Sequence, residues 1–246
     1  MLSASDPKKH LVLTGGSSGI GRALLERVRP HHDVTLISRA SPHLDKLRAV
    51  HPSLEIIETD LADLDAVRHA ADQVIASHRS VDVLINNAAV QYTPAFIADD
   101  FDSASIEHEI AVNLAAPAVL THRLLPTLCA GAGGTVLNVN SGLGLVPKTS
   151  SAVYCASKFG LNGLSLALAN QLEGTGVRVV QAFLPLVDTG MTAGRGDGKL
   201  SADDAADRIL AGLASGQANI DIGKVKLLRW IMRFSPTLAR RIMRRG

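Results

Sequence analysis

The chain has 246 residues, of which 46% are hydrophobic and 20% are charged, and its formal net charge is +2. This composition excludes a largely disordered chain, and the small net charge argues against a nucleic-acid-binding surface over the whole molecule, so we expect no nucleic-acid partner. Two cysteines are too few for a disulfide framework and no apolar run is long enough to span a bilayer or to form a secretory signal, so we expect a reduced, cytoplasmic protein.

Apolar strand-like runs alternate with helical patterns along most of the chain. Several of these runs are almost continuously apolar, as in parallel strands that are covered on both faces. Strands are predicted at 10–15, 33–38, 54–59, 81–87, 134–141 and 176–184, with a weaker strand at 218–223. Helices are predicted at 18–30, 41–50, 62–78, 103–128 and 152–173, and Pro117 should kink the fourth or reset its start. The alternation predicts a doubly wound parallel sheet, an α/β domain of Rossmann type over residues 1–223.

The first predicted strand runs directly into the sequence TGGSSGIG, residues 14–21, and a helix follows. Glycine permits the tight turn and the close approach of a pyrophosphate, while the helix N-terminus offers free N–H groups and a partial positive charge. A glycine-rich turn without a ligand is the alternative. We expect a dinucleotide to contact Gly15, Gly19 and Gly21, with hydroxyl contacts from Ser17 and Ser18.

The sequence YCASK places Tyr154 and Lys158 four residues apart in a predicted helix. Residues at this spacing share a helix face, with Cβ atoms about 5–6 Å apart. A free tyrosine, with a pKa near 10, is a poor base at neutral pH, and a neighbouring ammonium group favours the phenolate. The spacing therefore permits an activated phenol, although it is a weak signal when taken alone. The alternative is a helix whose tyrosine packs in the core and whose lysine reaches water.

Several motifs resemble those of the short-chain dehydrogenase/reductase family, in its compact single-domain branch, over about residues 10–190. TGGSSGIG matches the family pattern T-G-x-x-x-G-x-G, and YCASK matches Y-x-A-S-K. NNAA (86–89) is similar to the family's N-N-A-G, with Ala89 in place of glycine. Ser141 ends the fifth predicted strand thirteen residues before Tyr154, as in the family, and Asn113 matches the helix asparagine.

The resemblance implies a role for each of four residues. Tyr154 would be the catalytic acid/base with Lys158 beside it, and Ser141 would hydrogen-bond and orient the substrate oxygen. Asn113 would hold a water that links Lys158 to solvent for proton exchange. Donors aimed at an oxygen on which charge develops lower the barrier of a reaction.

The end of the second strand bears on the choice of cofactor. A carboxylate there binds the ribose 2′-OH and repels a 2′-phosphate, but this strand ends in LISRA, with Ser38 and Arg39. The planar guanidinium group suits a phosphate, so we predict a preference for NADP(H), with NAD(H) as the second cofactor. The alternative for Arg39 is a solvated surface arginine. Asp60 resembles the family's aspartate near adenine, and a helix N-cap is a compatible second role.

The full set of predicted cofactor contacts follows the motifs. After the sixth strand, Pro185-Leu186 stands where the family has Pro-Gly, and Thr189 falls where a family threonine meets the nicotinamide carboxamide. The contacts are Gly15, Ser17, Ser18, Gly19, Ile20, Gly21, Ser38, Arg39, Asp60, Leu61, Asn87, Ala88, Tyr154, Lys158, Pro185, Val187 and Thr189. The nine histidines show no metal-ligand spacing, so no metal is expected.

The substrate pocket is predicted to draw on residues 91–97, 143–150 and 186–200. These stretches are mostly apolar or small, which favours a modest hydrophobic carbonyl substrate. The Gly-rich, polar segment 188–200 is the candidate for a mobile lid.

The last 23 residues, 224–246, form a predicted basic amphipathic helical extension. They contain eight Lys/Arg and no Asp/Glu, so the remaining residues carry 17 basic against 23 acidic groups, a net charge of −6. Ser235-Pro236 is typical of a helix start between two short helices. An apolar stripe of Leu238, Ile242 and Met243 against Arg240, Arg241, Arg244 and Arg245 suits a helix lying on anionic lipid. The alternative is a helix that docks on its own domain or on a sister subunit through residues such as Trp230, Ile231, Phe234 and Leu238.

The sequence as a whole favours an NADP(H)-dependent oxidoreductase acting on a small carbonyl/alcohol pair. We expect a homo-oligomer, either dimer or tetramer, and the extension leaves open a weak peripheral contact with anionic membranes. One alternative is a catalytically silent dinucleotide-sensing protein of the same fold, although the retained Asn113, Ser141, Tyr154 and Lys158 argue against it. Another is a sugar-nucleotide epimerase or dehydratase of the larger related branch, which usually needs a substantial C-terminal substrate domain. Only about 60 residues follow the sixth predicted strand.

Overall fold

Seven parallel strands form the sheet in the computed structural model, which describes residues 7–77, 80–131 and 133–244. The strands are β1 (His10–Thr14), β2 (Asp33–Ser38), β3 (Glu55–Glu58), β4 (Val83–Asn86), β5 (Thr135–Ser141), β6 (Arg178–Leu184) and β7 (Asn219–Asp221). Their order is β3-β2-β1-β4-β5-β6-β7, and every neighbouring pair is parallel. The predicted doubly wound parallel sheet in a single domain is confirmed.

Nine α-helices in the described residues connect and flank these strands. They are α1 (Gly19–Val28), α2 (Pro42–Val50), α3 (Leu64–Ser77), α4 (Ala104–Ile110), α5 (Ala116–Cys129), α6 (Ala152–Gln171), α7 (Ala202–Ala214), α8 (Lys224–Phe234) and α9 (Pro236–Arg244). None of the helices in these described ranges is long and apolar enough to cross a membrane. Of the predicted positions, His78 in the third helix and Arg245 in the basic stripe lie outside the described residues.

Both faces of the sheet are covered, which explains the almost continuous hydrophobicity of the strands. Leu11 and Leu13 of β1 pack with α1, α2 and α7, whereas Val12 between them packs on the opposite face with α3 and α5. All three side chains are fully buried. Parallel strands covered on both faces have no polar face to alternate with the apolar one.

The predicted helix at 103–128 is confirmed as one uninterrupted helical stretch, residues 104–129, that contains a π-helical turn. It comprises α4, the π-helical turn at Ala111–Ala115, and α5. Pro117 closely follows the π-helical turn and cannot donate the helical hydrogen bond of its position, so the irregularity expected at this proline is a π turn within the helix rather than a new helix start. Pro126 lies inside α5 without ending it. Helix α7 has no counterpart among the predicted helices.

The strand order places a crevice between β1 and β4. From β1 the chain continues outward to β2, and from β4 it continues outward in the opposite direction to β5. Ligands of open α/β sheets bind outside the carboxyl ends of the strands at such a reversal. The predicted glycine loop follows β1 and the predicted serine ends β5, so both lie at this edge of the sheet.

Candidate active site

A single cavity of about 970 Å³ lies at the carboxyl edge of the sheet. All seventeen predicted cofactor contacts line it, and so does Ser141. Asn113, the remaining predicted catalytic residue, lies behind the wall of the cavity and is completely buried. The fold therefore brings these lining residues together from seven separate segments of the sequence.

The glycine loop leaves no room for side chains at two of its positions. A Cβ on Gly15, whose φ is +69°, would lie 2.8 Å from the Cα of Ala88, and a Cβ on Gly21 would lie 2.1 Å from the Gly15 carbonyl oxygen. Ser18 precedes α1 but its side chain makes no capping hydrogen bond. The first N–H groups of this helix therefore remain for an anion, and the loop fits the pyrophosphate of a dinucleotide.

Asn87, which follows the neighbouring strand β4, holds the glycine loop in place through hydrogen bonds. Its Nδ2 donates hydrogen bonds to the carbonyls of Thr14, at 3.0 Å, and Gly15, at 3.1 Å. In return Thr14 Oγ1 accepts hydrogen bonds from the backbone N–H groups of Asn87 and Ala88. These four bonds fix the loop after β1 against the loop after β4, so Asn87 and Ala88 shape the cavity as well as line it.

The end of β2 presents hydroxyl and cationic groups to the cavity. Ser38 Oγ donates to Ser17 Oγ at 3.3 Å. Arg39 is exposed, and within the described residues it has no ion-pair partner. His43 of α2 also lines this part of the cavity, and sequence reasoning missed it. It lies four residues after Arg39, a spacing that carries no recognisable motif.

Asp60 lines the cavity but is not the N-cap of the following helix. Its Oδ1 accepts a hydrogen bond from Ala62 N at 2.9 Å, within a local turn. Asp63 is the residue whose Oδ1 accepts from the N–H groups of Asp65 and Ala66 at the start of α3. The alternative role considered for Asp60 is therefore taken by a residue three positions later, because α3 begins at Leu64 rather than at 62.

Tyr154 and Lys158 lie one turn apart on α6, and both are buried and line the cavity. Lys158 Nζ donates a hydrogen bond to the Val139 carbonyl at 3.0 Å and lies 5.7 Å from the centroid of the Tyr154 ring. Burial excludes the alternative in which the lysine reaches water. Ser141 ends β5 on the same cavity, with its Oγ accepting a hydrogen bond from Leu143 N at 3.1 Å.

In the protein alone, Lys158 does not hold the pKa of Tyr154 below its ordinary value. Burial raises the pKa of Tyr154 to about 12, and the side-chain hydrogen bond with Ser141 opposes this rise without overcoming it. Burial also lowers the pKa of Lys158 to about 8, which the Glu109 carboxylate opposes. Desolvation penalises both charged forms, and the ammonium group is engaged by the Val139 carbonyl rather than by the phenolic oxygen.

Asn113 occupies the middle of the π-helical turn, and its side chain is fully engaged by protein groups. It exchanges two hydrogen bonds with the backbone of Val90, at 2.9 and 2.8 Å, and its Nδ2 also donates to Ser157 Oγ at 3.1 Å. The side chain therefore fixes the loop after β4 to α6 beside Lys158. Any water that it positions must be held through its backbone, which the π turn displaces from regular helical geometry.

Thr189 lies against the glycine loop. A Cβ built on Gly19 would lie 3.1 Å from Thr189 Cγ2, so the threonine is adjacent to the first turn of α1. Leu186, at the position of the family's glycine, accepts a backbone hydrogen bond from Leu200 N, and Asp188 N donates to the Leu200 carbonyl. These two backbone hydrogen bonds join the start of the predicted lid, residues 188–200, to its last residue, Leu200.

The C-terminal helices dock on their own domain, which is one of the two alternatives considered for the basic extension, and they form a wall of the cavity. Val225, Leu228 and Met243 pack with Leu145 and Val146 in a small core, and other side chains of α8 and α9 line the cavity. Those lining residues are Lys224, Leu227, Ile231 and Ile242. Arg229 anchors α8, because its guanidinium pairs with Asp221 and lies 4.5 Å from the centroid of the Phe183 ring.

The predicted substrate stretches are placed in part at the cavity. From 91–97 only Gln91 lines it, while Leu143 and Lys148 contribute from 143–150. The stretch 186–200 contributes most, from Leu186 to Gly196. In the ranges that the structure describes, no group of three or more His, Cys, Asp or Glu side chains is placed to hold a metal ion.

Comparison with known proteins identifies the family. The family model described as short chain dehydrogenase matches residues 9–199, which is most of the chain. The chain is 29% identical over 226 residues to the uncharacterized oxidoreductase DltE of Bacillus subtilis (strain 168), covering 89% of this chain and 90% of that protein. It is 32% identical over 203 residues to sulfoacetaldehyde reductase 2 of Chromohalobacter salexigens, covering 80% of each chain.

A solved structure agrees with these sequence relatives. A metagenomic short-chain oxidoreductase, solved in complex with NADP, superposes with a TM-score of 0.74 at 29% identity, covering 89% of this chain and 98% of that one. The matched family segment contains the glycine loop and the cavity residues of β5 and α6. The chain therefore belongs to the short-chain dehydrogenase/reductase family of NAD(P)-dependent oxidoreductases.

Proposed function

We propose that this chain transfers a hydride between NADP(H) and a predominantly apolar carbonyl/alcohol substrate, with Tyr154 as acid/base. The observation that carries the proposal is the placement of Ser141, Tyr154 and Lys158 in the same cavity as the glycine loop. A dinucleotide bound by its pyrophosphate at α1 would share this cavity with these three side chains. A silent binding protein has no need of that arrangement.

The side chains divide the work of proton transfer. Ser141 and the Tyr154 hydroxyl donate hydrogen bonds to the substrate oxygen, on which negative charge develops when a carbonyl accepts a hydride. Tyr154 then delivers its phenolic proton to that oxygen, or removes it in the reverse direction. The Lys158 ammonium group stabilises the phenolate that remains. When bound, the nicotinamide supplies the hydride or accepts it, and its oxidised ring adds a positive charge to the site.

Burial of this group of residues serves the chemistry. Tyr154 has an exposed fraction of 9% and Lys158 of 3%, so both work in a poorly hydrated environment where electrostatic interactions are strong. The same burial raises the pKa of Tyr154 to about 12. We infer that a bound oxidised cofactor would favour the phenolate, because its positive charge would oppose the effect of burial.

The preference for NADP(H) rests on the groups at the end of β2. Arg39 is an exposed cation at the cavity with His43 nearby, and Ser17 and Ser38 add hydroxyl donors. A phosphate on the ribose 2′-oxygen suits this set of donors, and β2 ends without the carboxylate that selects a free 2′-OH. The NADP-bound short-chain oxidoreductase described above supports the same assignment.

The apolar substrate class follows from the far end of the cavity. Leu143, Leu186, Met191 and Leu228 line it, together with Ile231 of α8. Lys148, Arg195 and Lys224 also line the cavity, so an anionic group on an otherwise apolar substrate has partners there. Because the wall comes from α8 and α9, the size of substrate that fits depends on the C-terminal segment.

A substrate screen tests the proposal. Purified protein is assayed with NADPH and NADH against aldehydes and ketones of increasing apolar size, with and without a carboxylate, and with NADP⁺ against the matching alcohols. Turnover with NADPH that disappears in Tyr154→Phe supports it. Cofactor binding without turnover on any member, in parent and variant alike, favours the silent dinucleotide-sensing alternative.

We also propose that the exposed face of α8 contacts anionic membranes. Leu227, Trp230 and Phe234 are 59%, 61% and 67% exposed, and the Trp230 and Phe234 rings lie 5.1 Å apart. Lys226 and Arg233, both exposed, flank this stripe on the same helix. Aromatic and leucine side chains beside cations are typical of helices that lie on anionic lipid. Leu227 also lines the cavity, so the stripe runs to its mouth.

Point variants test this contact better than truncation, because removing residues from Lys224 onward deletes a wall of the cavity. Lys226→Glu/Arg233→Glu should abolish flotation with vesicles containing phosphatidylglycerol, and phosphatidylcholine vesicles should bind neither protein. The control Arg68→Glu/Arg208→Glu makes the same change of charge on α3 and α7. Equal flotation of all three proteins, or dimerisation lost in the α8 variant, rejects the membrane contact.

We further propose a homo-oligomer, either a dimer or a tetramer. Phe159 and Leu166 support it, since they lie two turns apart on α6 and are 40% and 54% exposed. Sedimentation equilibrium of the parent and of Phe159→Glu/Leu166→Glu gives the test: the parent should be a dimer or tetramer and the variant should dissociate. A monomeric parent removes the proposal.

A further inference from the structure

One acidic side chain and one basic side chain of the Lys/Arg type are buried in the described part of the chain. Glu109 has an exposed fraction of 1% and Lys158 of 3%. Burying a charge is costly unless an opposite charge or hydrogen bonds compensate for it. The proposed mechanism uses the ammonium group of Lys158 but assigns no role to the carboxylate.

Glu109 is held in a fixed position one helical turn before Asn113. Its Oε1 accepts a hydrogen bond from the backbone N–H of Tyr92 at 3.2 Å, while Asn113 binds the backbone of Val90 in the same loop. Asn113 also donates to Ser157 Oγ, in the residue next to Lys158. These hydrogen bonds connect the loop after β4 to the helical stretch that carries Glu109 and Asn113, and they connect that stretch to α6. The position of the carboxylate is thereby fixed.

The charge on Glu109 acts on three groups of α6. It raises the pKa values of Tyr154, Cys155 and Lys158. Burial in turn raises the pKa of Glu109 to about 7, and both the Tyr92 hydrogen bond and the Lys158 ammonium oppose this rise. On its other sides the titratable neighbours are His108, beside it in α4, and the Tyr92 hydroxyl, which lies 2.6 Å from His108 Nδ1.

We propose that the Glu109 carboxylate is the counter-charge of the Tyr154–Lys158 pair and sets the pH range over which this pair exchanges its proton. Glu109 acts as a positioning residue through the two side chains on α6. The inference rests on the proposed function, because it concerns the same acid/base pair. It adds a residue that the motifs of the sequence do not reveal.

The direction of the effect follows from the sign of the charge. A nearby negative charge strengthens proton binding by every titratable group, so an ionised Glu109 keeps protons on the pair and favours the ammonium form of the buried lysine. Tyr154 and Lys158 titrate as a coupled system, and kinetics report an apparent pKa that belongs to the pair. Loss of the carboxylate must lower that apparent pKa, whichever of the two groups releases the first proton.

The decisive variant is Glu109→Gln, which keeps an oxygen that can accept from Tyr92 N–H and removes the charge. Glu107→Gln is the matched control, since Glu107 is exposed on the same helix. Glu109→Asp keeps the charge on a shorter side chain. We expect the apparent pKa in the pH profile of kcat/KM for alcohol oxidation to fall by about one unit in Glu109→Gln. The profile should stay in place in Glu107→Gln and return toward the parent in Glu109→Asp.

A second measurement needs neither substrate nor a variant at Glu109. Lysine ¹³Cε shifts are followed by NMR across neutral and alkaline pH in the parent protein, with Lys158→Met used to assign the signal. The Lys158 signal should respond to the ionisation of a carboxyl group near pH 7, as well as to its own titration near pH 8.

Three results overturn the inference. These are an unchanged pH profile in Glu109→Gln, an equal shift in Glu107→Gln, and a Lys158 signal that does not respond near neutral pH. Glu109→Gln can also lose activity equally at every pH and have a lower melting temperature. In that case Glu109 has only a structural role, which is to hold the loop that contains Tyr92. A parent protein without turnover on any carbonyl contradicts the proposed function instead, and the NMR titration then still decides the role of Glu109.

Discussion

Lys158 Nζ lies 5.7 Å from the centroid of the Tyr154 ring and donates its hydrogen bond to the Val139 carbonyl, 3.0 Å away. The two side chains are thus adjacent without a bond between their polar ends. This geometry explains why burial dominates and raises the pKa of Tyr154 to about 12. Burial of the pair therefore disfavours the phenolate in the protein alone.

Tyr154→Phe removes the transferable proton and keeps the ring in its packed position. We expect kcat to fall by about 10²–10⁴, the usual contribution of an acid/base group, with NADPH affinity changed little. Steady-state kinetics and NADPH fluorescence titration measure the two effects separately. Near-parental turnover in the variant would show that another group transfers the proton.

Arg39→Asp places a carboxylate where the 2′-phosphate of NADPH is proposed to bind. The affinity for NADPH should fall by at least about tenfold, which corresponds to the loss of roughly 1.4 kcal/mol for a charge-assisted hydrogen bond, while the affinity for NADH should stay equal or rise. Arg68→Ala on the distant helix α3 is the control. Equal affinities of the parent protein for NADPH and NADH contradict the assignment of Arg39.

Gly21→Ala tests the tight packing of the glycine loop. The added Cβ would lie 2.1 Å from the Gly15 carbonyl oxygen, so the loop must move and its fit to a pyrophosphate is lost. We expect dinucleotide binding to fall by more than tenfold and the melting temperature to drop. Gly163→Ala on α6 is the control, because nothing lies within 4 Å of the added atom. Removal of a helical glycine there should be neutral or stabilising.

The fold was predictable from the sequence because its strands are buried on both faces and therefore read as continuous apolar runs. The glycine loop, Ser141, Tyr154 and Lys158 were predictable as candidates because close packing and chemistry restrict those positions to particular residues. Helix α7 was missed, although Ser201 accepts a hydrogen bond from Asp204 N at its start and Ala205, Ile209 and Leu213 form its buried stripe. That pattern of cap and apolar spacing is a signal that the sequence does contain.

The sequence alone could not predict where the C-terminal helices pack or that Glu109 is buried. An amphipathic helix has one apolar face whether it packs on lipid, on a partner or on its own domain, and only the fold shows that Val225 and Leu228 pack beside Leu145. A glutamate in a helix is usually solvated. Its burial depends on the loop after β4 crossing it, which is a long-range contact without a local motif.

The burial of Lys158 predicts a conflict between stability and activity. Its pKa is lowered from the ordinary value of 10.5 to about 8 by burial, so between these pH values the unfolded chain binds more protons than the folded one. The contribution of Lys158 to stability must therefore rise with pH through that window, and below pH 8 the buried ammonium costs the folded state the full amount. Lys158→Met should remove this cost, on the order of 1–3 kcal/mol, and raise the melting temperature at pH 7 while abolishing turnover.

Thermal melts of parent, Lys158→Met and the exposed control Lys46→Met, recorded from neutral to alkaline pH, measure the effect. The gain from Lys158→Met should shrink as the pH approaches 10, and a variant less stable than the parent at every pH would mean that the ammonium group contributes net stability through Val139.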